Sequence, residues 1–98
     1  MTEATPATPA DLQALREQIE RVDRSILQLF KERMVLAEQV AQAKIAAAFP
    51  FRDGLRHEQV LQRVRHAAAG LGLDAHQMEQ IFRLIMEMAI SHQQEHLR

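Results

Sequence analysis

One apolar repeat through the first half of the chain constrains its fold more than any other feature. Apolar residues recur at steps of three and four along one stripe: Leu12, Leu15, Ile19, Val22, Ile26, Leu29, Leu36, Val40 and Ala43. This spacing predicts a long amphipathic α-helix whose stripe resembles the seam of a coiled coil. Thr8 as N-cap and Pro9 at the first helical position predict its start, and the end of the repeat predicts a stop near Ala47.

The predicted first helix is too long for a compact monomer of 98 residues. About 36 residues rising 1.5 Å each give roughly 54 Å. A compact globule of this chain length has a diameter of roughly 32 Å. Either the far half of the helix stands in solvent or a second copy of the chain covers it, and an apolar stripe along the full length favours the second copy. The sequence therefore predicts an intertwined homodimer.

The rest of the chain predicts two more helices and no strand. Asp53 can cap a second helix of roughly residues 54–69, and Asp74 can cap a third that continues close to the C-terminus. The apolar face predicted for the third helix consists of Met78, Ile81, Phe82, Ile85 and Ala89. The fold class is all-α, long–short–long, with residues 1–9 as a flexible N-terminal arm and 10–98 as one helical domain.

Composition excludes several classes of function. The chain contains no cysteine, which excludes disulfides, thiolate metal sites and cysteine nucleophiles. Net charge is −1 with acids and bases interspersed, so we expect no nucleic-acid or membrane surface built on bulk charge. The polar opening MTEATPATPA does not resemble a secretory signal, so the sequence predicts a cytoplasmic protein.

The sequence also lacks the residue patterns that a metal site or a nucleophilic serine requires. His92 and His96 have the i,i+4 spacing of metal ligands, but no third ligand is placed nearby, so no metal site is predicted. Ser25 and Ser91 have no accompanying His/Asp arrangement. The sequence predicts no cofactor.

The repeat places one cation where an apolar residue is expected, between Leu29 and Leu36. Arg33 lies on the seam, and Lys44, eleven residues later, faces the same way because the rotation between them is only about 20°. Arg16 lies on the edge of the stripe but about 25 Å from Arg33 along the axis. In a two-fold dimer with antiparallel first helices, Arg16 of the second copy would join the other two cations.

Two residues of the shorter helices extend this cluster. Arg56 falls in the first turn of the second helix, where the helix dipole disfavours a cation. Gln93 follows Ala89 by four residues, so it places a polar group on the inward face of the third helix. A cationic cavity lined with donors suits a small dicarboxylate bound by bidentate arginine contacts.

The chain resembles the all-helical chorismate mutases over nearly its whole length after residue 10. The matching segments are LREQIERVDRSILQLFKERMVLAEQVAQAK, then RDGLRHEQVL, then GLDAHQMEQIFRLIMEMAISHQQ. The resemblance implies an intertwined dimer of three-helix chains. It also implies a Claisen rearrangement of chorismate to prephenate, which requires no nucleophile, metal or cofactor.

The resemblance also implies a role for individual residues. Arg16 of the second copy and Arg33 match carboxylate-binding arginines. Lys44 and Gln93 match the two donors to the ether oxygen of the substrate. Asp53 and Arg56 match residues that meet the substrate ring and its hydroxyl.

Two positions depart from the family pattern. His57 stands where the family has a glutamate that accepts from the ring hydroxyl, with Glu58 one position further, and Ala89 replaces a small hydroxyl residue. Neutral His57 can accept the same hydrogen bond. The alternatives are an isochorismate-pyruvate lyase, a mutase of the 4-amino analogue, and a helical dimer that only binds a partner protein.

Overall fold

The computed structural model describes residues 8–50 and 52–96, and these residues form three α-helices. Helix α1 spans Pro9–Ala46, α2 spans Gly54–Gly70 and α3 spans Ala75–His96. The predicted all-α, long–short–long order is confirmed. Of the predicted N-terminal arm, residues 1–7 lie outside the described residues, and Pro9 is already helical.

Each helix begins at the cap that the sequence predicts. The Thr8 hydroxyl accepts a hydrogen bond from the amide of Asp11 at 3.1 Å, and Asp11 Oδ2 accepts from the Thr8 amide at 3.1 Å. The hydrogen bonds from the Thr8 hydroxyl and amide lower the pKa of Asp11. Asp53 Oδ1 accepts from the Arg56 amide at 3.1 Å, and Asp74 Oδ1 accepts from the Gln77 amide at 2.9 Å. These side chains bind amides that a helix start leaves without an intrahelical partner.

The first two helices end in the same way, with one residue in the left-handed conformation. The Phe49 amide donates to the carbonyl of Lys44 at 2.8 Å, and Ala48 adopts a φ of 58°. The Leu73 amide donates to the carbonyl of Ala68 at 2.9 Å, and Gly72 adopts a φ of 73°. This six-to-one hydrogen bond defines the Schellman motif, in which glycine normally occupies the left-handed position.

Two units of the chain meet within α1, the first ending at Arg33 and the second beginning at Met34. The first unit consists of the earlier turns of α1, and its apolar stripe is exposed. In the second unit, α2 packs against α3, and the buried residues are Ala41, Leu61, Ala68, Met86, Ala89, Ile90 and Gln93. The core face of α3 therefore differs from the predicted one: Met86 and Ile90 belong to it, whereas Ile81 is 49% exposed because it lies off the face that Ala89 and Gln93 share.

The ion pair between Arg65 and Glu79 ties α2 to α3 within the second unit. Arg65 of α2 contacts Glu79 of α3 at 2.5 Å, and Arg83 reaches the same carboxylate at 3.0 Å. Arg65 also contacts Glu58 at 3.1 Å. One partly buried carboxylate thus receives two guanidinium groups, of which that of Arg65 comes from the other helix.

None of the described helices is both long enough and apolar enough to cross a membrane.

Candidate active site

Among the described residues of the second unit, Gln93 is the most buried polar residue, with 5% of its surface exposed. Its Nε2 donates to the main-chain carbonyl of Ala37 on α1 at 2.9 Å. That carbonyl already accepts within the helix, and its second lone pair accommodates the amide. Gln93 Oε1 is buried and has no hydrogen-bond partner among the described residues. An unsatisfied buried polar atom is unusual and indicates a place where a ligand or water binds.

The residue before Gln93 on α3 contacts the residue after Ala37 on α1. His92 Nε2 lies 2.7 Å from Glu38 Oε1, in a partly buried pair. Since an ionised carboxylate only accepts, Nε2 is the protonated nitrogen in this contact. Two successive residues of α3 therefore hold two successive residues of α1. The sequence offered no signal for this pair, because the partners are separated by 54 residues.

Lys44 lies on the same face of α1 as Ala37, whose carbonyl binds the Gln93 amide. Ala37, Ala41 and Lys44 are spaced i, i+4 and i+7, which places them on one side of the helix. Ala41 is fully buried, and Lys44, in the last turn, is partly buried. The lysine stem is thus directed to the same side of α1 as the Gln93 amide.

The first turn of α2 divides the remaining predicted residues between two grooves. Asp53 is the N-cap, so one of its oxygens is occupied by the Arg56 amide. His57 is partly buried and lines a groove of about 330 Å³ between α2 and α3. Arg56 is exposed and lines a different groove along α2, of about 510 Å³. Within the second unit, Arg56 and His57 therefore line different grooves.

Ala89 is buried one turn before Gln93, as its predicted inward position requires. No hydroxyl is present there to supplement the Gln93 amide. Glu58, the acid next to His57, is bound by Arg65 at 3.1 Å. This ion pair joins Glu58 to a residue seven positions later on α2.

The two predicted arginines of the first unit differ in exposure. Arg16 is exposed on α1, and Arg33 is partly buried. Burial lowers the pKa of the Arg33 guanidinium, which nevertheless stays charged at any physiological pH. No carboxylate pairs with Arg33 among the described residues. A desolvated cation in this state binds an anion more strongly than a hydrated one does.

The described residues contain no group of three or more His, Asp or Glu side chains placed to hold a metal ion. The side chain of His96 lies outside the described part of the chain.

Comparison with known proteins gives a consistent family. The profile described as chorismate mutase type II matches residues 15–94. A bifunctional chorismate mutase/prephenate dehydratase of Enterobacter agglomerans is 40% identical over 83 residues, and the one of Escherichia coli strain K12 is 39% identical over 83 residues. The match covers 85% of this chain in both cases, but the chain spans only 21% and 22% of those two proteins.

A relative of similar length exists among the archaea. The chorismate mutase of Methanocaldococcus jannaschii is 29% identical over 86 residues, which cover 88% of this chain and 87% of that protein. The family match includes Arg16, Arg33, Lys44 and Gln93, and it extends over all three helices. This chain belongs to the chorismate mutase type II family.

Proposed function

We propose that this chain catalyses the rearrangement of chorismate to prephenate, as a homodimer with two equivalent sites. The observation that carries the proposal is the Gln93 amide, which is buried and fixed to the carbonyl of Ala37 on the helix that also carries Lys44. The match to the chorismate mutase type II profile across residues 15–94 supports the assignment of substrate. We place the reaction in aromatic amino-acid biosynthesis and in the cytoplasm as part of the same proposal.

The reaction is an intramolecular exchange of bonds. The ether C–O bond of chorismate breaks while a C–C bond forms between the enolpyruvyl group and the ring, so no atom or electron enters or leaves. Negative charge develops on the ether oxygen as its bond lengthens. The protein accelerates this step by holding the reactive chair-like conformation and by stabilising that charge with fixed donors.

Gln93 and Lys44 are the proposed donors to the ether oxygen. Gln93 Nε2 carries two hydrogens, and Ala37 binds one of them, so the second is available in a fixed direction. An amide that is already anchored loses little freedom when it donates in the transition state. The Lys44 ammonium would place a full positive charge beside the same oxygen.

Arg33 and Arg16 of a second copy are the proposed carboxylate ligands. Arginine suits this role because its planar guanidinium binds a carboxylate through two parallel hydrogen bonds. Asp53, Arg56 and His57 are proposed to meet the ring end of the substrate, with neutral His57 accepting from the ring hydroxyl.

The proposed second copy covers the apolar stripe of α1. Eight of the stripe residues are between 44% and 63% exposed in the single chain: Leu12, Leu15, Ile19, Val22, Ile26, Leu29, Leu36 and Val40. A soluble monomer rarely exposes a contiguous apolar stripe of this length. A copy of the same chain offers a complementary stripe, and in an antiparallel arrangement it also brings its Arg16 to the site.

A two-substrate assay tests the proposed activity. The purified chain is incubated with chorismate and, separately, with isochorismate, and the products are resolved by chromatography. We expect prephenate from chorismate and no salicylate or pyruvate from isochorismate. Salicylate with pyruvate from isochorismate alone would assign the chain to the lyase reaction. Inactivity toward both substrates, with no rise in melting temperature on adding either, would favour a binding protein.

A further inference from the structure

We propose that His92 and Glu38 are positioning residues, because the hydrogen bond between them holds α3 at the rotation in which the Gln93 amide meets the carbonyl of Ala37. This inference rests on the proposed function in one respect, namely that the Gln93 amide serves the ether oxygen of the substrate. The positioning itself can be measured without substrate.

Two hydrogen bonds between neighbouring residues join α3 to the last third of α1. His92 Nε2 lies 2.7 Å from Glu38 Oε1, and Gln93 Nε2 lies 2.9 Å from the carbonyl oxygen of Ala37. Successive residues of a helix are about 100° apart around its axis, so the two contacts lie side by side on each helix. A rotation of α3 that shortens one contact lengthens the other. Together the two contacts therefore define the rotation of α3 against α1.

The Gln93 amide needs a second contact beside it because its own anchoring is incomplete. Nε2 is bound to Ala37, whereas Oε1 is buried and has no hydrogen-bond partner among the described residues. A glutamine side chain rotates about three torsions, so one hydrogen bond at its tip does not fix the helix that carries it. The orientation of the amide therefore depends on what holds the α3 backbone in place.

The contact between His92 and Glu38 is suited to hold that backbone. A hydrogen bond to an ionised carboxylate is shorter and roughly twice as strong as one between neutral groups. The side chains of His92 and Glu38 are 33% and 39% exposed, so their surroundings exclude part of the water that would compete for the same groups. We therefore assign the holding role to this pair, and the catalytic role to the amide that it positions.

Two effects of Glu38 have to be separated, namely its hydrogen bond and its negative charge. A carboxylate on the same stretch of α1 as Lys44 also acts on the site through its charge. Glu38→Ala removes both the hydrogen bond and the charge. Glu38→Gln removes the charge but keeps an oxygen that accepts from His92 Nε2. The comparison of the two variants therefore measures the hydrogen bond alone.

Hydrogen exchange of the Gln93 side-chain amide tests the positioning without substrate. The glutamine side chains are nitrogen-labelled for NMR, and the Gln93 signals are assigned by their loss in Gln93→Ala. We expect these hydrogens to exchange with water about tenfold faster in Glu38→Ala than in the wild type, because a less firmly held helix opens more often. In Glu38→Gln the exchange should stay close to that of the wild type. An unchanged exchange rate in Glu38→Ala would overturn the proposal.

Two further variants keep this measurement decisive. Gln39→Ala is the matched control, since Gln39 is the exposed neighbour of Glu38 on α1 and should leave the exchange unchanged. His92→Ala removes the other partner of the hydrogen bond, so it replaces Glu38→Ala if that variant does not fold. Slow exchange that persists in folded His92→Ala would count against the proposal as strongly as slow exchange in Glu38→Ala.

A kinetic cycle links the positioning to the reaction. Glu38→Ala should lower kcat about tenfold and change KM by less than about twofold, because the Gln93 amide is proposed to act on charge that develops only in the transition state. In a Gln93→Ala background the same substitution should leave kcat unchanged. Equal losses in both backgrounds would mean that the effect of Glu38 does not pass through Gln93, and the proposal would be wrong.

The conservative variant completes the kinetic test. Glu38→Gln should keep kcat within about threefold of the wild type, because the hydrogen bond to His92 is retained. A loss as large as that of Glu38→Ala would assign the effect to the charge and contradict positioning by the hydrogen bond. Faster exchange of the Gln93 hydrogens in Glu38→Ala, in a chain without activity toward chorismate, would contradict only the proposed function.

Discussion

Gln93 donates a hydrogen bond from Nε2 to the carbonyl of Ala37 at 2.9 Å, and this contact joins the end of α3 to the last third of α1. Only 5% of the Gln93 surface is exposed, so the direction of the second amide hydrogen is fixed before any substrate arrives. A donor oriented in advance stabilises developing charge without reorganisation during the reaction.

Replacing Gln93 by Ala should therefore reduce kcat by about two to three orders of magnitude, the usual effect of removing one donor to a developing oxyanion. Chorismate consumption measured in a stopped assay gives the rate. Gln94→Ala is the matched control, since Gln94 is the adjacent, exposed residue of α3 and should leave the rate unchanged. A Gln93→Ala enzyme within a few fold of the wild type would contradict the role of the amide.

Lys44 should be similarly necessary for turnover. Lys44→Ala removes the positive charge from the proposed ether-oxygen site, and we expect kcat to fall by about a hundredfold or more while the helical circular dichroism stays unchanged. The other lysine of the chain, Lys31, is exposed, and Lys31→Ala serves as the control. Equal losses in the two variants would point to a general charge effect instead of a specific contact.

The left-handed residues that follow α1 and α2 lead to a pair of predictions about stability. Ala48 has a φ of 58°, a conformation that costs a residue with a Cβ about 1 kcal/mol relative to glycine. Ala48→Gly should thus raise the free energy of unfolding by about 1 kcal/mol, and Gly72→Ala should lower it by a similar amount. Urea unfolding at one fixed protein concentration measures both changes.

The control for the paired prediction is the same substitution inside a helix. Ala67 is an exposed residue of α2, and Ala67→Gly should lower the free energy of unfolding by about 1 kcal/mol. If Ala48→Gly destabilises the protein as Ala67→Gly does, the left-handed conformation of Ala48 is not strained.

The Arg52–Glu87 ion pair predicts a dependence of stability on pH. Because the hydrogen bond from Arg52 lowers the pKa of Glu87 in the folded chain, the pair contributes stability above the ordinary glutamate value of about 4.3. That contribution is lost as the pH falls through the lowered pKa. Unfolding in urea between pH 7 and pH 3 should show a smaller loss of stability in Glu87→Gln than in the wild type. Parallel curves for the two proteins would mean that the pair is formed equally in the unfolded chain.

Much of the fold follows from local sequence signals. The three caps Thr8, Asp53 and Asp74 are short-range features, so the helix starts could be predicted to the residue. The end of α1 was predicted near Ala47 and lies at Ala46, whereas the left-handed conformation of Ala48 carries no signal in the sequence. The inward position of Gln93 follows from its i+4 spacing to Ala89, and it is confirmed by their burial.

The contacts between helices could not be predicted in the same way. Arg52 and Glu87 are 35 residues apart, and no periodicity connects residues on different helices. Which groove His57 lines, and which Arg56 lines, depends on the rotation of α2 against α3. The roles of Arg16, Arg33, Lys44 and Gln93 in binding and catalysis stay predictions, because they concern a substrate and a second copy of the chain.

The central claim, a site shared between two copies, is tested most directly by mixing two inactive variants. Arg16→Ala and Lys44→Ala are each purified, then unfolded together in equal amounts and refolded. Half of the dimers then contain one chain of each kind, and each of these has one site with both Lys44 and the second chain's Arg16. We predict a recovery of about a quarter of the wild-type rate of prephenate formation. A rate no higher than that of the two variants refolded separately would contradict a site built from both chains.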